Sequence, residues 1–73
     1  MNEREIQLFI TYKIVEAREE NHLTQAQLSK LSSISQSKIS KIENGARHIE
    51  ASQLYILANA LKKPINFFFP KNK

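Results

Sequence analysis

The chain has 73 residues, a formal net charge of +4 and no cysteine, so it is short enough for one domain and has no disulfide to stabilise it. All seven of its acidic residues are glutamates, and the absence of aspartate excludes a Ser-His-Asp catalytic triad. The positive charge is concentrated after residue 22, because residues 1–22 carry a net charge of −2 whereas residues 23–49 carry +3. A basic middle segment favours a polyanionic partner such as nucleic acid.

Sites for cofactors, metals or membranes are not indicated. The single glycine, Gly45, leaves no glycine-rich loop for a phosphate-bearing cofactor. His22 and His48 are isolated from each other and from further ligands at suitable spacing, so we expect no metal and no cofactor. No apolar run reaches the roughly 18 residues that span a membrane, and the charged N-terminus has no signal-peptide core. We therefore expect a cytoplasmic protein that makes no membrane contact and is not an enzyme.

Apolar residues recur at helical spacing without persistent alternation, which predicts an all-α fold. The first helix is expected over residues 3–20, and Asn21 and His22 should end it because both residue types tolerate a positive φ. The residues expected on its inward face are Ile6, Ile10, Ile14 and Ala17.

A helix-turn-helix is predicted at about residues 24–43. Thr24 should cap a second helix that continues to Leu31, with Leu28 and Leu31 facing inward. After a short turn at 32–34, Ser35 should cap a third helix over residues 36–43, and Asn44-Gly45 should close it.

The remaining chain predicts two further helices. The fourth is expected over residues 51–61 with a weak cap at Glu50. Pro64 should open a short fifth helix that continues through Phe69, followed by a frayed tail over residues 70–73. The prediction is thus one compact five-helix domain over residues 1–73.

The third predicted helix separates two kinds of side chain. On a helical wheel Ile39 and Ile42 face one way, and the opposite sector of about 140° holds amide, hydroxyl and amine groups. Such groups donate to and accept from base edges and do not repel phosphates. The four residues of this sector are Gln36, Ser37, Ser40 and Lys41. The alternative is that they form an ordinary solvated helix face.

The segments 23–29 (LTQAQLS) and 34–45 (ISQSKISKIENG) resemble the phage-repressor/Cro-type helix-turn-helix family, also called the XRE family. The similarity extends over roughly residues 10–69. It implies a lambda-repressor-like domain that binds double-stranded operator DNA as a two-fold homodimer. It also implies a structural ion pair between Arg18 and Glu43.

The resemblance further implies roles for individual side chains. Gln36, Ser37 and Lys41 would face bases, and Ser40 would contact either a base or a phosphate. The implied phosphate contacts are Gln25, Ser35, Lys38, Asn44 and Arg47. For Lys38 and Arg47 a plain surface charge is the alternative.

The sequence departs from the family pattern at four positions. Ser33 and His22 stand where the family usually has glycine, so a residue with a side chain is expected at positive φ in the turn, at a cost of about 1–2 kcal/mol. Ser29 replaces a usual alanine, and Lys63 occupies a position that is normally apolar. These departures affect stability rather than base contacts.

Three consecutive aromatic residues follow the fourth helix. The simpler expectation is that Phe68 and Phe69 are core while Phe67 is partly exposed. The alternative is that Phe67 forms a dimer patch with Tyr55 or Ile56. A dimer would stabilise a domain this small and would place two recognition helices about 34 Å apart.

The function that these residues predict is sequence-specific transcriptional regulation, with repression favoured over activation, by a homodimer on a pseudo-palindromic operator. A protein antagonist is a possible further partner. The alternative is an interaction module of antitoxin or anti-repressor-bound type, in which DNA binding is secondary.

Overall fold

The computed structural model describes residues 1–71 and is all-α over that range, which confirms the predicted fold class. It contains four α-helices, namely α1 (Glu3–Glu20), α2 (Gln25–Ser32), α3 (Gln36–Glu43) and α4 (Ala51–Ala60). A 3-10 helix over Ile65–Phe68 follows them. No helix in this part of the chain combines the length and the apolar character needed to cross a membrane.

The fifth helix is shorter than the sequence predicts. Pro64 does not open it but precedes it in an extended conformation, with ψ at 151°. The segment then makes one 3-10 turn before Phe69 returns to extended geometry. The five residues between Pro64 and Pro70 are too few to propagate an α-helix, and 3-10 turns are common in such short pieces. Pro70 and Lys71 continue without regular structure, and the remainder of the predicted frayed tail lies outside the described residues.

Side-chain caps set the helix starts where the sequence predicts them. Thr24 Oγ1 accepts a hydrogen bond from the Gln27 backbone N–H at 3.0 Å, and Gln27 Oε1 accepts one from the Thr24 N–H at 2.8 Å. Ser35 Oγ accepts from the Lys38 N–H at 3.2 Å. These bonds satisfy backbone donors that the first turn of a helix leaves unpaired. Both helices of the helix-turn-helix therefore begin at residues fixed by local sequence.

One apolar core holds the helices together. It is formed from the inward faces of all four α-helices, with Phe68 of the 3-10 helix closing it. Its largest fully buried side chains are Ile14, Leu28, Ile39, Ile42, Leu57, Leu61 and Phe68. Ile10, Ile14 and Ala17 are buried as predicted, and Ile6 is partly buried against the core.

Leu31 is not in the core, contrary to the prediction. Its side chain is 60% exposed, whereas Ser32 is only 7% exposed. Leu28 directs α2 inward, and residue 32 lies about 40° from residue 28 on the wheel while residue 31 lies about 60° away on the other side. The helix is rotated so that Ser32 follows Leu28 into the interior. Ser32 Oγ accepts a hydrogen bond from the Ile34 N–H at 3.2 Å, which satisfies the buried hydroxyl.

The aromatic run is arranged differently from the expectation. Phe68 is fully buried as predicted, but Phe69 is 40% exposed rather than core. Phe67 is half-buried, with its ring edge-on to Phe68 at a centroid distance of 5.1 Å. Lys13 and Lys63 place their Nζ atoms 4.9 and 4.7 Å from the centre of the Phe67 ring. The two lysines therefore cover much of a side chain that the sequence suggested for a dimer patch.

Candidate nucleic-acid interface

Helix α3 presents a polar face to solvent and an apolar face to the core. Ile39 and Ile42 are each 1% exposed and anchor the helix. Gln36, Ser37 and Lys41 are exposed, and Ser40 is half-buried beside them. Gln36 and Ser37 lie in the first turn of α3, close to the helix N-terminus, whose partial positive charge attracts phosphate.

The turn between α2 and α3 contains a residue in left-handed geometry. Ser33 has φ 60° and ψ 16°, and its N–H donates to the Ser29 carbonyl at 2.8 Å. Ser29 Oγ in turn donates to the Ile34 carbonyl at 2.6 Å. The expected positive φ at Ser33 is present, and it occurs at His22 as well, with φ 55°. The hydroxyls of Ser29 and Ser32 fix this turn, a role that sequence analysis missed although serine is typical of such local bonds.

Arg18 and Glu43 join α1 to the end of α3. Arg18 Nε donates to Glu43 Oε2 at 2.8 Å, and a second guanidinium nitrogen donates to Oε1 at 3.0 Å. Another guanidinium N–H reaches the Leu23 carbonyl at 2.7 Å. The hydrogen bond to Glu43 raises the pKa of Arg18 above its ordinary value, against the opposing effect of burial, so the arginine stays charged. This bidentate pair fixes α3 against the rest of the domain.

Gln25 belongs to the same network. Its Nε2 donates to Glu43 Oε1 at 2.9 Å, and its side chain is half-buried. One amide N–H is thus occupied inside the protein, and the other remains for an outside acceptor. The ion pair of Arg18 and Glu43 therefore orients the side chain of Gln25, for which the resemblance implies a phosphate contact.

The loop after α3 carries the remaining predicted phosphate contacts. Asn44 Oδ1 accepts from the Ala46 N–H at 2.9 Å, and Gly45 has φ 78°, a conformation that glycine adopts without strain. The Arg47 N–H donates to the Lys41 carbonyl at 3.2 Å, so the loop folds back on the end of α3. Asn44 and Arg47 are exposed.

This surface is positively charged. Lys38, Lys41 and Arg47 are exposed on it, and the nearby carboxylate of Glu43 is neutralised by Arg18. Within residues 1–71, the three salt bridges involve none of these three cations. The surface therefore offers uncompensated cations beside hydrogen-bonding side chains, which is the combination that duplex DNA requires.

A second exposed surface lies outside the helix-turn-helix and is apolar. Tyr55 is 64% exposed and Ile56 is 41% exposed. Tyr55, Ile65 and Phe69 line an open groove of about 360 Å³ together with core residues of α1 and α4. Phe67 lies outside this groove and borders a different one. The apolar surface nearest Tyr55 is thus supplied by Phe69 rather than by Phe67.

A polar recognition helix, fixed by an ion pair and preceded by a capped partner helix, is the arrangement of a helix-turn-helix. A model of the helix-turn-helix family matches residues 14–68 of the chain. The chain belongs to this family. The match confirms the resemblance to XRE-type helix-turn-helix proteins, and membership makes this chain a DNA-binding transcription regulator.

Among solved structures, a controller protein is similar to this helix-turn-helix protein over most of its length. The restriction-modification controller protein C.AhdI from Aeromonas hydrophila superposes with a TM-score of 0.81 and 25% sequence identity. The superposition covers 86% of this chain and 96% of that chain. No curated protein sequence matches significantly.

Proposed function

We propose that this protein is a sequence-specific regulator that represses transcription by binding a pseudo-palindromic operator as a homodimer. The observation that carries the proposal is the division of α3, whose isoleucines are buried while Gln36, Ser37 and Lys41 are exposed. The amide of Gln36 pairs bidentately with adenine, and the ammonium of Lys41 donates to guanine. Ser37 and Ser40 suit either donors or acceptors on base edges.

Phosphate contacts surround this base-reading set. The proposed residues lie before, within and after α3 and combine cations with amide and hydroxyl donors: Gln25, Ser35, Lys38, Asn44 and Arg47. These contacts would fix the register of α3 on the duplex, and they carry no sequence information of their own. The likeness to C.AhdI, which is a restriction-modification controller, favours that setting over the phage-repressor and antitoxin settings that use the same fold.

The proposal can be tested by selecting bound fragments from a random DNA pool and measuring their affinity by fluorescence anisotropy. Gln36→Ala should weaken operator binding by about 1–3 kcal/mol and relax preference at one base position. Asn59→Ala, which removes an exposed amide from α4, is the matched control and should leave binding unchanged. Unchanged base preference in Gln36→Ala would contradict the register proposed for α3.

Dimerisation is the second part of the proposal. The exposed groove of Tyr55, Ile65 and Phe69 supports a self-complementary contact, since a domain of this size buries little apolar surface on its own. Sedimentation should show a dimer for the wild type and a monomer for Phe69→Glu. Phe67→Glu is the comparison, because Phe67 lies under two lysines. A dimer that persists in both variants would remove this groove from the interface.

The same groove favours one alternative function, a protein-interaction module that binds a protein antagonist or toxin and uses DNA weakly. Titration with random-sequence and genomic DNA separates the two. A regulator should show sites bound at least about 10³-fold more tightly than random DNA, with a steep dependence on salt. Equal affinity for all sequences would favour the interaction module.

A further inference from the structure

Three basic side chains meet outside the recognition helix. Arg4 in the first turn of α1 lines a small pocket together with Arg47 and His48 from the loop between α3 and α4. Arg4 and Arg47 are separated by 43 positions in the sequence, and all three side chains are exposed. Nothing in the pattern of the helix-turn-helix, which the family model matches only from residue 14, points to Arg4.

Hydrogen bonds from α1 keep this meeting point in place. Thr11 Oγ1 donates to the Ile42 carbonyl at the end of α3, at 3.3 Å. Gln7 Oε1 accepts from the Ile49 N–H just before α4, at 3.2 Å. These two bonds tie α1 to both ends of the intervening loop. Arg4 lies one helical turn before Gln7 and is thereby held next to that loop.

The loop is itself tied to the recognition helix. The N–H groups of Ala46 and Arg47 both donate to the Lys41 carbonyl, at 2.9 and 3.2 Å. Leu8 fills the space beside Gly45, with its Cδ2 atom 3.7 Å from the position that a Cβ would take. The basic pocket therefore has a fixed position relative to α3.

Among residues 1–71, no salt bridge balances the charge of the two arginines of the pocket. Its other lining residues, Gln7, Leu8, Thr11 and Gly45, bear no charge. The neighbouring carboxylate of Glu5 accepts a hydrogen bond from the Asn2 N–H at 2.9 Å in the capping box at the start of α1. Two guanidinium groups that line one pocket create a positive potential there, which attracts an anion.

We propose that Arg4 acts with Arg47 and His48 as a clamp on the sugar–phosphate backbone of the duplex whose bases α3 reads. This inference rests on the proposed function and adds α1 to the DNA-binding surface. Guanidinium groups suit phosphate because their planar N–H donors match its oxygens bidentately. The clamp positions the protein on DNA and contributes no base preference.

The test compares Arg4→Gln with Arg47→Gln and with Lys71→Gln, which removes the same charge from an exposed site that does not line the pocket. Affinity for the selected operator and for random duplex is measured by fluorescence anisotropy from 50 to 200 mM salt. Each arginine variant should weaken both DNAs by a similar factor and reduce the slope of log affinity against log salt by about 0.9. Over that fourfold range in salt, the loss of affinity should therefore be about 3.5-fold smaller than for the wild type. Lys71→Gln should keep the wild-type slope.

A second measurement locates the contact. In a series of operators, one phosphate at a time is replaced by a neutral methylphosphonate. At one position this replacement should weaken binding of the wild type but should not weaken binding of Arg4→Gln. Circular dichroism should show unchanged folding, because Arg4 is exposed and makes no side-chain hydrogen bond within residues 1–71. Arg4→Lys should keep the salt slope while losing part of the affinity.

The outcomes separate this inference from the function on which it rests. A wild type without a preferred sequence would overturn the proposed function. A wild type with a preferred sequence and a steep salt slope that Arg4→Gln leaves unchanged would overturn the clamp alone. The clamp would also be overturned if the free wild-type protein bound inorganic phosphate and Arg4→Gln lost this binding without any change in DNA affinity. That result would assign the pocket to a small anion.

Discussion

Replacing Glu43 with glutamine tests whether the ion pair with Arg18 holds the recognition helix in place. The variant keeps the shape of the side chain and removes its charge. The Arg18 side chain is 15% exposed and the Glu43 side chain only 6%. Glutamine accepts one of the two guanidinium hydrogen bonds and leaves a largely buried cation without a counter-charge.

The expected loss of stability follows from this geometry. Breaking a buried ion pair by removing one partner costs about 3–5 kcal/mol, and the partial exposure of Arg18 together with the retained hydrogen bond lowers this to about 2–3 kcal/mol. A domain of this length is stable by roughly 4–11 kcal/mol, so the loss is a large fraction of the total. The midpoint of thermal unfolding should fall by about 10–20 °C.

Urea unfolding followed by circular dichroism measures the change, with Glu20→Gln as the matched control. Glu20 contacts Lys63 at 2.8 Å, the same distance, but its side chain is 50% exposed. Removing that charge should cost less than about 1 kcal/mol because exposed pairs contribute little. The double variant Arg18→Met/Glu43→Leu should return to within about 1 kcal/mol of the wild type. If Glu43→Gln and Glu20→Gln reduced the free energy of unfolding by the same small amount, burial would not explain the contribution of the Arg18–Glu43 ion pair to stability.

Four further substitutions test the turn, the α3 cap and the core. Ser33→Gly should raise the free energy of unfolding, measured with urea, by about 0.5–1 kcal/mol. The reason is that relief of the left-handed strain at residue 33 outweighs the entropic cost of ordering a glycine, and a loss of stability would show that Ser33 is not strained. Ser35→Ala should cost about 1 kcal/mol in the same assay through loss of the α3 cap and should weaken operator and random DNA alike, whereas weakening of the operator alone would assign Ser35 to base contacts. Leu28→Ala should cost about 2–5 kcal/mol while Leu31→Ala costs less than about 0.5 kcal/mol, and similar costs for both would mean that Leu31 is buried after all.

Local sequence was sufficient for the starts of α2 and α3 and for the polarity of α3. Thr24 and Ser35 fix the starts of α2 and α3 because their hydroxyls satisfy backbone donors one turn away, and such bonds need no tertiary partner. The separation of Ile39 and Ile42 from Gln36 follows from helical periodicity alone. The fold class and the family could be predicted for this reason, since both follow from the spacing of residue types along the chain.

The tertiary structure decided which apolar side chains are covered. Periodicity allowed both Leu28 and Leu31 to face inward, but the rotation of α2 is set by its contacts with α3 and α4, and it buries Ser32 instead. The rotation of the last turn likewise exposes Phe69 and places Phe67 under Lys63 and under Lys13, which belongs to the distant helix α1. The placement of Arg4 and Arg47 in one pocket was likewise decided by the tertiary structure. A helix fixes neighbours three or four residues apart, and contacts across 43 positions depend on how the helices pack.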